Sequence, residues 1–136
     1  MCILSVKPKE KISPRDIIKW KQIVWDEAGE SISIKGIKGK VLIAGIVDTN
    51  SMDGLFDYGH NVLLISDFDK TELEVGDIIV YATTTNDVGM IIHRIVEKGV
   101  DGEGIWYKCK GDNNFKKDPY VLREVNILYL CIGIIY

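Results

Sequence analysis

The chain is poor in the residues that build disulfide-linked or metal-bound folds. Its three cysteines, Cys2, Cys109 and Cys131, are odd in number and widely spaced, and no Cys-x-x-Cys pair occurs. This disfavours a disulfide framework and a zinc knuckle, so we expect reduced thiols. Only two histidines are present, His60 and His93. A metal site built from these histidines and Cys109 would lack the usual ligand spacing, and no cofactor is predicted.

Long hydrophobic runs are also missing. No stretch approaches the roughly 20 apolar residues that a spanning helix needs. The apolar tail 127–136 is ten residues long and is interrupted by Cys131 and Gly133. The N-terminal apolar run is too short for a signal peptide and is followed at once by lysines. We therefore expect no transmembrane segment and a cytoplasmic location.

The composition is that of an ordinary globular protein. Of the 136 residues, 46% are hydrophobic and 27% are charged, which is enough for one domain, 1–136, with a real core. The net charge is -3, but residues 1–40 carry nine Lys/Arg against five Asp/Glu, while residues 41–136 carry eight against fifteen. The acidic body disfavours a nucleic-acid partner.

The segment 13–28 has the signals of one amphipathic helix. Ser13 is a suitable N-cap, Pro14 suits the first helical position, and Gly29 would end the helix. Apolar residues recur between them at helical spacing, at Ile17, Trp20, Val24 and Ala28. We predict that Trp20 and Trp25 pack on the core, and peripheral membrane contact by this basic helix is the alternative.

After Gly29 the pattern becomes that of strands. Seven runs are rich in β-branched and aromatic residues, namely SISIKGIKGK, VLIAGIV, NVLLIS, DIIVYAT, GMIIHRIVEK, GIWYKCKG and VNILYLCIGIIY. Turn-forming residues separate them. The predicted fold is mainly β, with curled antiparallel sheets or a partly open barrel in 41–136, preceded by the helix and a lead-in strand in 1–40.

Ser51 and His93 are candidates for one catalytic site. Ser51 lies in the turn-prone segment DTNSMDG after a predicted strand, where a hydroxyl and free backbone N–H groups would be presented. A serine needs a base to become a nucleophile. In GMIIHRIVEK the alternation places His93 and Arg94 on opposite faces, so at least one of them faces inward or lines a cleft. A buried group of this kind needs a polar partner.

Asp112 and Asp118, in KGDNNFKKD, are the candidate partners one strand later. In a catalytic triad a carboxylate holds the tautomer of the imidazole and stabilises the imidazolium. On these residues alone, simpler interpretations stay open: a plain turn, a structural histidine and a hairpin loop.

Four short sequence motifs occur in the same order as in the signal peptidase I family. The chain therefore resembles that family, in particular its archaeal and endoplasmic-reticulum branch. The motifs are Ser-Met at 51–52, Val-Gly-Asp at 75–77, His-Arg at 93–94 and Lys-Gly-Asp-Asn-Asn at 110–114, within a match over roughly 41–136. The resemblance implies a signal-peptidase or LexA-like fold, here without a membrane anchor. It also implies an endopeptidase that cleaves an extended peptide or protein substrate after a small residue.

The resemblance also implies roles for the polar residues. Ser51 would be the nucleophile and His93 the general base. Asp118 would orient His93, and Asp112 would be a supporting carboxylate that shapes the turn or pairs with Arg94.

The oxyanion would be bound by the backbone N–H of Ser51 and by the hydroxyl of Thr49, with Met52 supporting the turn. The substrate would pair as an extended strand with the chain near 46–49 and 91–93.

The chain departs from the family pattern in the serine turn. The family has Ser-Gly-Ser-Met-x-Pro, whereas this chain has Asn50 and Gly54 at the glycine and proline positions. Gly59 and His60 stand where relatives have Gly-Asp. We therefore expect a different loop shape with the reacting groups retained.

Two other functions stay open. One is a LexA-like regulator that processes itself at Ala28-Gly29, 23 residues upstream of Ser51 and at the end of the predicted helix. The other is a peptide-binding module of the same fold without catalytic activity.

Overall fold

The structure is a computed structural model that describes residues 11–84 and 89–136, and these form two antiparallel sheets. The small sheet pairs β1 (Ile23–Asp26) with β2 (Ser31–Ile34). The large sheet has six strands: β3 (Lys40–Gly45), β4 (Asn61–Ser66), β5 (Ile78–Tyr81), β6 (Ile91–Asp101), β7 (Gly104–Lys110) and β8 (Ile127–Ile135). Short 3₁₀ turns occur at Trp20–Gln22, Lys70–Glu72 and Glu124–Asn126.

The strand order in the large sheet is β3-β4-β8-β5-β6-β7. Within the described part of the chain, the edge strands β3 and β7 do not pair with each other, so the sheet is not closed. Each of the seven runs predicted as strands overlaps one of the strands β2 to β8. The prediction of a mainly β fold with antiparallel sheets is therefore confirmed.

The predicted N-terminal helix is wrong. All residues from 13 to 28 are described and none is α-helical; the segment contains a 3₁₀ turn and then β1. Its apolar residues also fit a period of two, which puts Ile23 and Trp25 opposite Ile34 and Ile32 on one face of the hairpin. Pairing with β2 satisfies the backbone and overrides a weak helical preference.

Long-range contacts also keep the start of this segment out of a helix. The backbone N–H of Arg15 donates to the Asp77 carboxylate at 3.2 Å, and the backbone carbonyl of Ile12 accepts from the Arg94 guanidinium at 2.9 Å. The expected packing of the tryptophans is wrong as well, because Trp20 is 86% exposed and Trp25 is 59% exposed. The predicted helix is therefore replaced by an exposed turn and strand.

Both faces of the large sheet carry a core, and β5 lies in the middle. All four side chains of β5 are buried because Ile79 and Tyr81 point into one cluster and Ile78 and Val80 into the other. The first cluster also contains Ile65, Leu73, Ile95, Tyr107, Cys109, Leu122, Ile127 and Leu130. The second contains Met52, Phe56, Val62, Leu64 and Cys131. Cys109 and Cys131 are free thiols, and Cys2 lies outside the described residues.

Candidate active site

The serine turn follows β3 and has an unusual backbone conformation. Asn50 has a φ of +57°, in the left-handed region that glycine adopts freely and asparagine tolerates better than most residues. Asparagine at the family's glycine position therefore allows a left-handed backbone. Gly54 has a φ of +94°, which proline cannot adopt, so the turn differs from the family pattern at that point.

Neighbouring residues fix Ser51 within the turn. Met52 is 2% exposed and anchors the turn in the core cluster that also contains Phe56. Ser51 itself is partly buried, and its Oγ lies 3.2 Å from Thr49 Oγ1. Among the described residues, the Ser51 backbone N–H donates to no protein acceptor. This N–H can therefore bind a ligand oxygen.

The segment 110–114 holds the serine turn from the other side. The backbone N–H of Asn113 donates to Ser51 O at 2.9 Å, and the Asn113 side chain donates to Asn50 O at 3.0 Å. Gly111 permits this approach because a Cβ there would lie 2.6 Å from Ser51 O. The Lys-Gly-Asp-Asn-Asn segment thus positions the turn that carries Ser51.

His93 lies in β6 with its side chain buried beside a carboxylate. Its Nδ1 is 2.6 Å from Asp118 Oδ2, and the two side chains are only 9% and 11% exposed. The Asp118 backbone N–H donates to Cys109 O at 2.8 Å, which ties the aspartate to β7. An ionised carboxylate can only accept, so Nδ1 is the donor in this pair, and in a neutral imidazole Nε2 is then the acceptor.

Arg94 points to the opposite face of β6 and has a different carboxylate partner. Its Nε and Nη2 each lie 2.8 Å from one oxygen of Asp112. Its Nη1 donates to the carbonyls of Ile12 and Gly76. Burial would raise the pKa of Asp112, but the hydrogen bonds and charge of Arg94 outweigh it and lower that pKa. The histidine and the arginine are thus both buried, and each has its own aspartate.

Two other buried polar residues were given no role in the sequence analysis. Asp77 is fully buried; its carboxylate accepts from Arg15 Nε at 2.9 Å and from the Glu74 backbone N–H at 3.0 Å. Tyr81 is also fully buried and donates its hydroxyl to Asp118 at 2.7 Å. A tyrosine inside the apolar run DIIVYAT was the available signal, because a buried phenol needs a hydrogen-bond partner.

Ser51 and His93 line the same groove, which has a volume of about 500 Å³. The end of β3, the following residues 46–47 and residues 90–93 all line it. The remaining lining is mostly apolar and includes Leu42, Met52, Phe56, Val62, Leu64 and Val80. Within the described ranges, Ser51 Oγ and His93 form no hydrogen bond with each other. The groove brings the hydroxyl and the imidazole to one surface without a direct contact in this conformation.

The second histidine has a different environment. His60 Nδ1 accepts from the Asp57 backbone N–H at 2.9 Å, and its ring packs edge-on against Tyr136. Within residues 11–84 and 89–136, no group of three or more His, Cys, Asp or Glu residues is arranged to hold a metal ion.

The fold and the groove define an antiparallel β-sheet protein in which a serine turn and a histidine–aspartate pair share one cleft. Comparison with known proteins gives two curated relatives. The chain is 32% identical to signal peptidase I W of Bacillus subtilis (strain 168) over 79 residues, which is 58% of this chain and 40% of that protein. It is 34% identical to the signal peptidase complex catalytic subunit SEC11 of Fusarium vanettenii over 73 residues, 54% of this chain and 42% of that protein.

These matches confirm the resemblance to the signal peptidase I family. Both relatives are named as signal peptidases, which suggests that this chain is also a peptidase. The matched part spans about two fifths of the length of either relative. No family model matches the chain, and no solved structure matches it. Among the described residues, none of the helical segments has the length and apolar character to span a bilayer.

Proposed function

We propose that this protein is a serine endopeptidase of the signal-peptidase type, with Ser51 as nucleophile and His93 as general base. The observation that carries the proposal is the buried His93–Asp118 pair at the groove that Ser51 also lines. A histidine held by an aspartate, with a free Nε2 near a serine, is the arrangement that activates a hydroxyl.

In the proposed reaction Ser51 Oγ turns from Thr49 toward His93 and gives its proton to Nε2 as it attacks the peptide carbonyl. Asp118 stabilises the imidazolium that forms. The imidazolium then protonates the leaving amine, and the acyl group stays on the serine. His93 next activates a water molecule that hydrolyses this ester and restores the serine hydroxyl. In unliganded enzymes such contacts are often longer than in the substrate complex.

The developing oxyanion has two donors within reach of the serine turn. The Ser51 backbone N–H has no protein acceptor among the described residues, and the Thr49 hydroxyl lies beside Ser51 Oγ. Such preorganised donors stabilise a tetrahedral intermediate. We assign both to the oxyanion, and we assign Met52 and the Arg94–Asp112 pair to the support of the turn.

The groove suits an extended peptide. β7 pairs with β6 only from Arg94 onward, so residues 91–93 have a strand partner, β5, on one side only. β3 is an edge strand, and the residues that follow it also line the groove. A substrate can add its backbone to these edges and place alternate side chains in the apolar floor. The preference for a small residue at the cleaved bond comes from the resemblance.

The geometry does not favour self-processing at Ala28-Gly29. That bond lies in the turn between β1 and β2 and does not end a helix; the Gly29 backbone N–H donates to the Asp26 side chain and Glu30 has a φ of +49°. The hairpin would have to open before an extended segment could enter the groove. An inactive peptide-binding module of the same fold remains the second candidate, because Ser51 and His93 are not in hydrogen-bond contact.

A library of extended peptides with small residues at varied positions tests the proposal. The wild-type protein should cleave a subset of the library, while Ser51→Ala and His93→Ala should show no turnover. Equal binding by all three proteins without cleavage would instead identify a binding module. The intact mass of the purified protein, followed over time, separates self-cleavage from both.

A further inference from the structure

Tyr81 connects the core of the sheet to the histidine–aspartate pair. It ends β5, its side chain is fully buried, and its hydroxyl donates to Asp118 Oδ2 at 2.7 Å. This is the same oxygen that lies 2.6 Å from His93 Nδ1. One carboxylate oxygen therefore receives two short hydrogen bonds, one from each strand of the β5–β6 pair.

Contacts inside the core fix the position of the Tyr81 phenol. The Tyr81 ring meets the Tyr120 ring edge-on, with 6.2 Å between the ring centroids. In the pairing of β5 with β8 the register shifts between Val80 and Tyr81, and such bulges redirect a side chain next to a site. The strand and the core packing thus direct the Tyr81 hydroxyl toward Asp118.

The Tyr81 hydroxyl and the Cys109 thiol, two groups beside Asp118, stay neutral. Burial, the hydrogen bond to Asp118 and the charge of Asp118 raise the pKa of Tyr81, so the phenol keeps its proton and acts as a donor. Burial, followed by the charge of Asp118, raises the pKa of the neighbouring Cys109 thiol. Of the two side chains that hydrogen-bond to the Asp118 carboxylate, His93 is therefore the one that can carry a positive charge.

We infer that Tyr81 is a positioning residue: its hydroxyl fixes the Asp118 carboxylate in the orientation that holds His93 with Nε2 toward the groove. This inference rests on the proposed function for its effect on turnover. The coupling of Tyr81 to His93 through Asp118 is a structural claim, and it does not depend on whether the protein is active.

Tyr81→Phe tests the inference because it removes only the hydroxyl and keeps the ring. Tyr107→Phe is the matched control: Tyr107 is equally buried, and its hydroxyl donates at 2.7 Å to the carbonyl of Lys70. Loss of a hydrogen bond to a charged group predicts a fall in kcat of about 10- to 100-fold for Tyr81→Phe, with KM changed by about twofold at most. Tyr107→Phe should keep kcat within about twofold of the wild type.

A double-mutant cycle shows whether Tyr81 acts through Asp118. In an Asp118→Asn background, Tyr81→Phe should lower kcat by about twofold at most, because the carboxylate it positions is already gone. A full additional loss in that background would overturn the inference.

An NMR measurement keeps this inference distinguishable from the proposed function. In protein labelled with ¹⁵N-histidine, His93 should carry its proton on Nδ1, whereas His60, whose Nδ1 accepts from Asp57, should carry it on Nε2. The His93 Nδ1–H resonance should move in Tyr81→Phe and stay in place in Tyr107→Phe. Peptidase inactivity of the wild type together with this shift would reject the proposed function and retain the coupling.

An unchanged His93 resonance in folded Tyr81→Phe would overturn the inference, whatever happens to kcat. If Tyr81→Phe does not fold, 3-fluorotyrosine at position 81 keeps the ring and strengthens the donor. The same resonance should then shift in the folded protein, and its constancy would contradict the coupling.

Discussion

The buried pair of Arg94 and Asp112 gives a quantitative prediction for stability. The two side chains are 9% and 7% exposed and form a two-pronged contact with both distances at 2.8 Å. In Asp112→Asn the guanidinium stays buried without its counter-charge, which typically costs about 3–5 kcal/mol. The carbonyls of Ile12 and Gly76 still accept from Nη1, so we expect the lower part of this range, about 3 kcal/mol. For a chain of this size that is a fall in Tm of about 10 °C.

The matched control is the exposed pair of Arg123 and Asp101, which has the same two-pronged geometry at 2.9 and 2.7 Å. Its side chains are 25% and 44% exposed, so solvent screens the interaction. Thermal and urea unfolding of the two Asn variants should show a large loss for Asp112→Asn and little or none for Asp101→Asn. Equal losses of unfolding free energy in the two variants would refute the argument that burial makes the Arg94–Asp112 pair the more important one.

The pH dependence of this pair has a defined sign. The pKa of Asp112 in the folded protein lies below its ordinary value of 3.8, because Arg94 outweighs the effect of burial. Its contribution to stability is therefore fully present above the ordinary pKa and is lost as the pH falls through the lower, folded value. The difference in unfolding free energy between wild type and Asp112→Asn should be constant near neutral pH and shrink in acid.

Two further predictions concern close packing. Gly111→Ala should lower peptidase activity about tenfold or more, because its Cβ would lie 2.6 Å from the carbonyl oxygen of Ser51, the proposed nucleophile. The control is Gly102→Ala, which should leave activity unchanged because its Cβ would meet nothing within 4 Å. Burial raises the pKa of Cys131 to about 11 and also raises that of Cys109. In a Cys2→Ser variant, the native protein should therefore not react with a thiol reagent near pH 8, and rapid reaction before unfolding would contradict the described burial.

The strands could be predicted from the sequence because β-branched and aromatic runs separated by turn residues are a local signal. The segment 13–28 could not, because its apolar residues fit both a helix and a hairpin. The choice depended on pairing with 31–34 and on distant contacts such as Arg15 with Asp77. Local patterns do not contain such contacts.

The site was predictable to a similar degree. Alternation along β6 placed His93 and Arg94 on opposite faces, as the structure has them. It could not decide between Asp112 and Asp118, which follow within six residues of each other; their assignment came from the resemblance. Tyr81 lies far from Asp118 in sequence, and only the tertiary fold brings the two together.

The central claim is that His93 makes Ser51 nucleophilic, and active-site labelling tests it most directly. The protein is treated with a fluorophosphonate, digested, and the modified residue is located by mass spectrometry. The account predicts an adduct on Ser51 in the wild type and, in a folded His93→Ala variant, labelling reduced by about a hundredfold or more. An adduct on another residue, or equal labelling of Ser51 in both proteins, would contradict it.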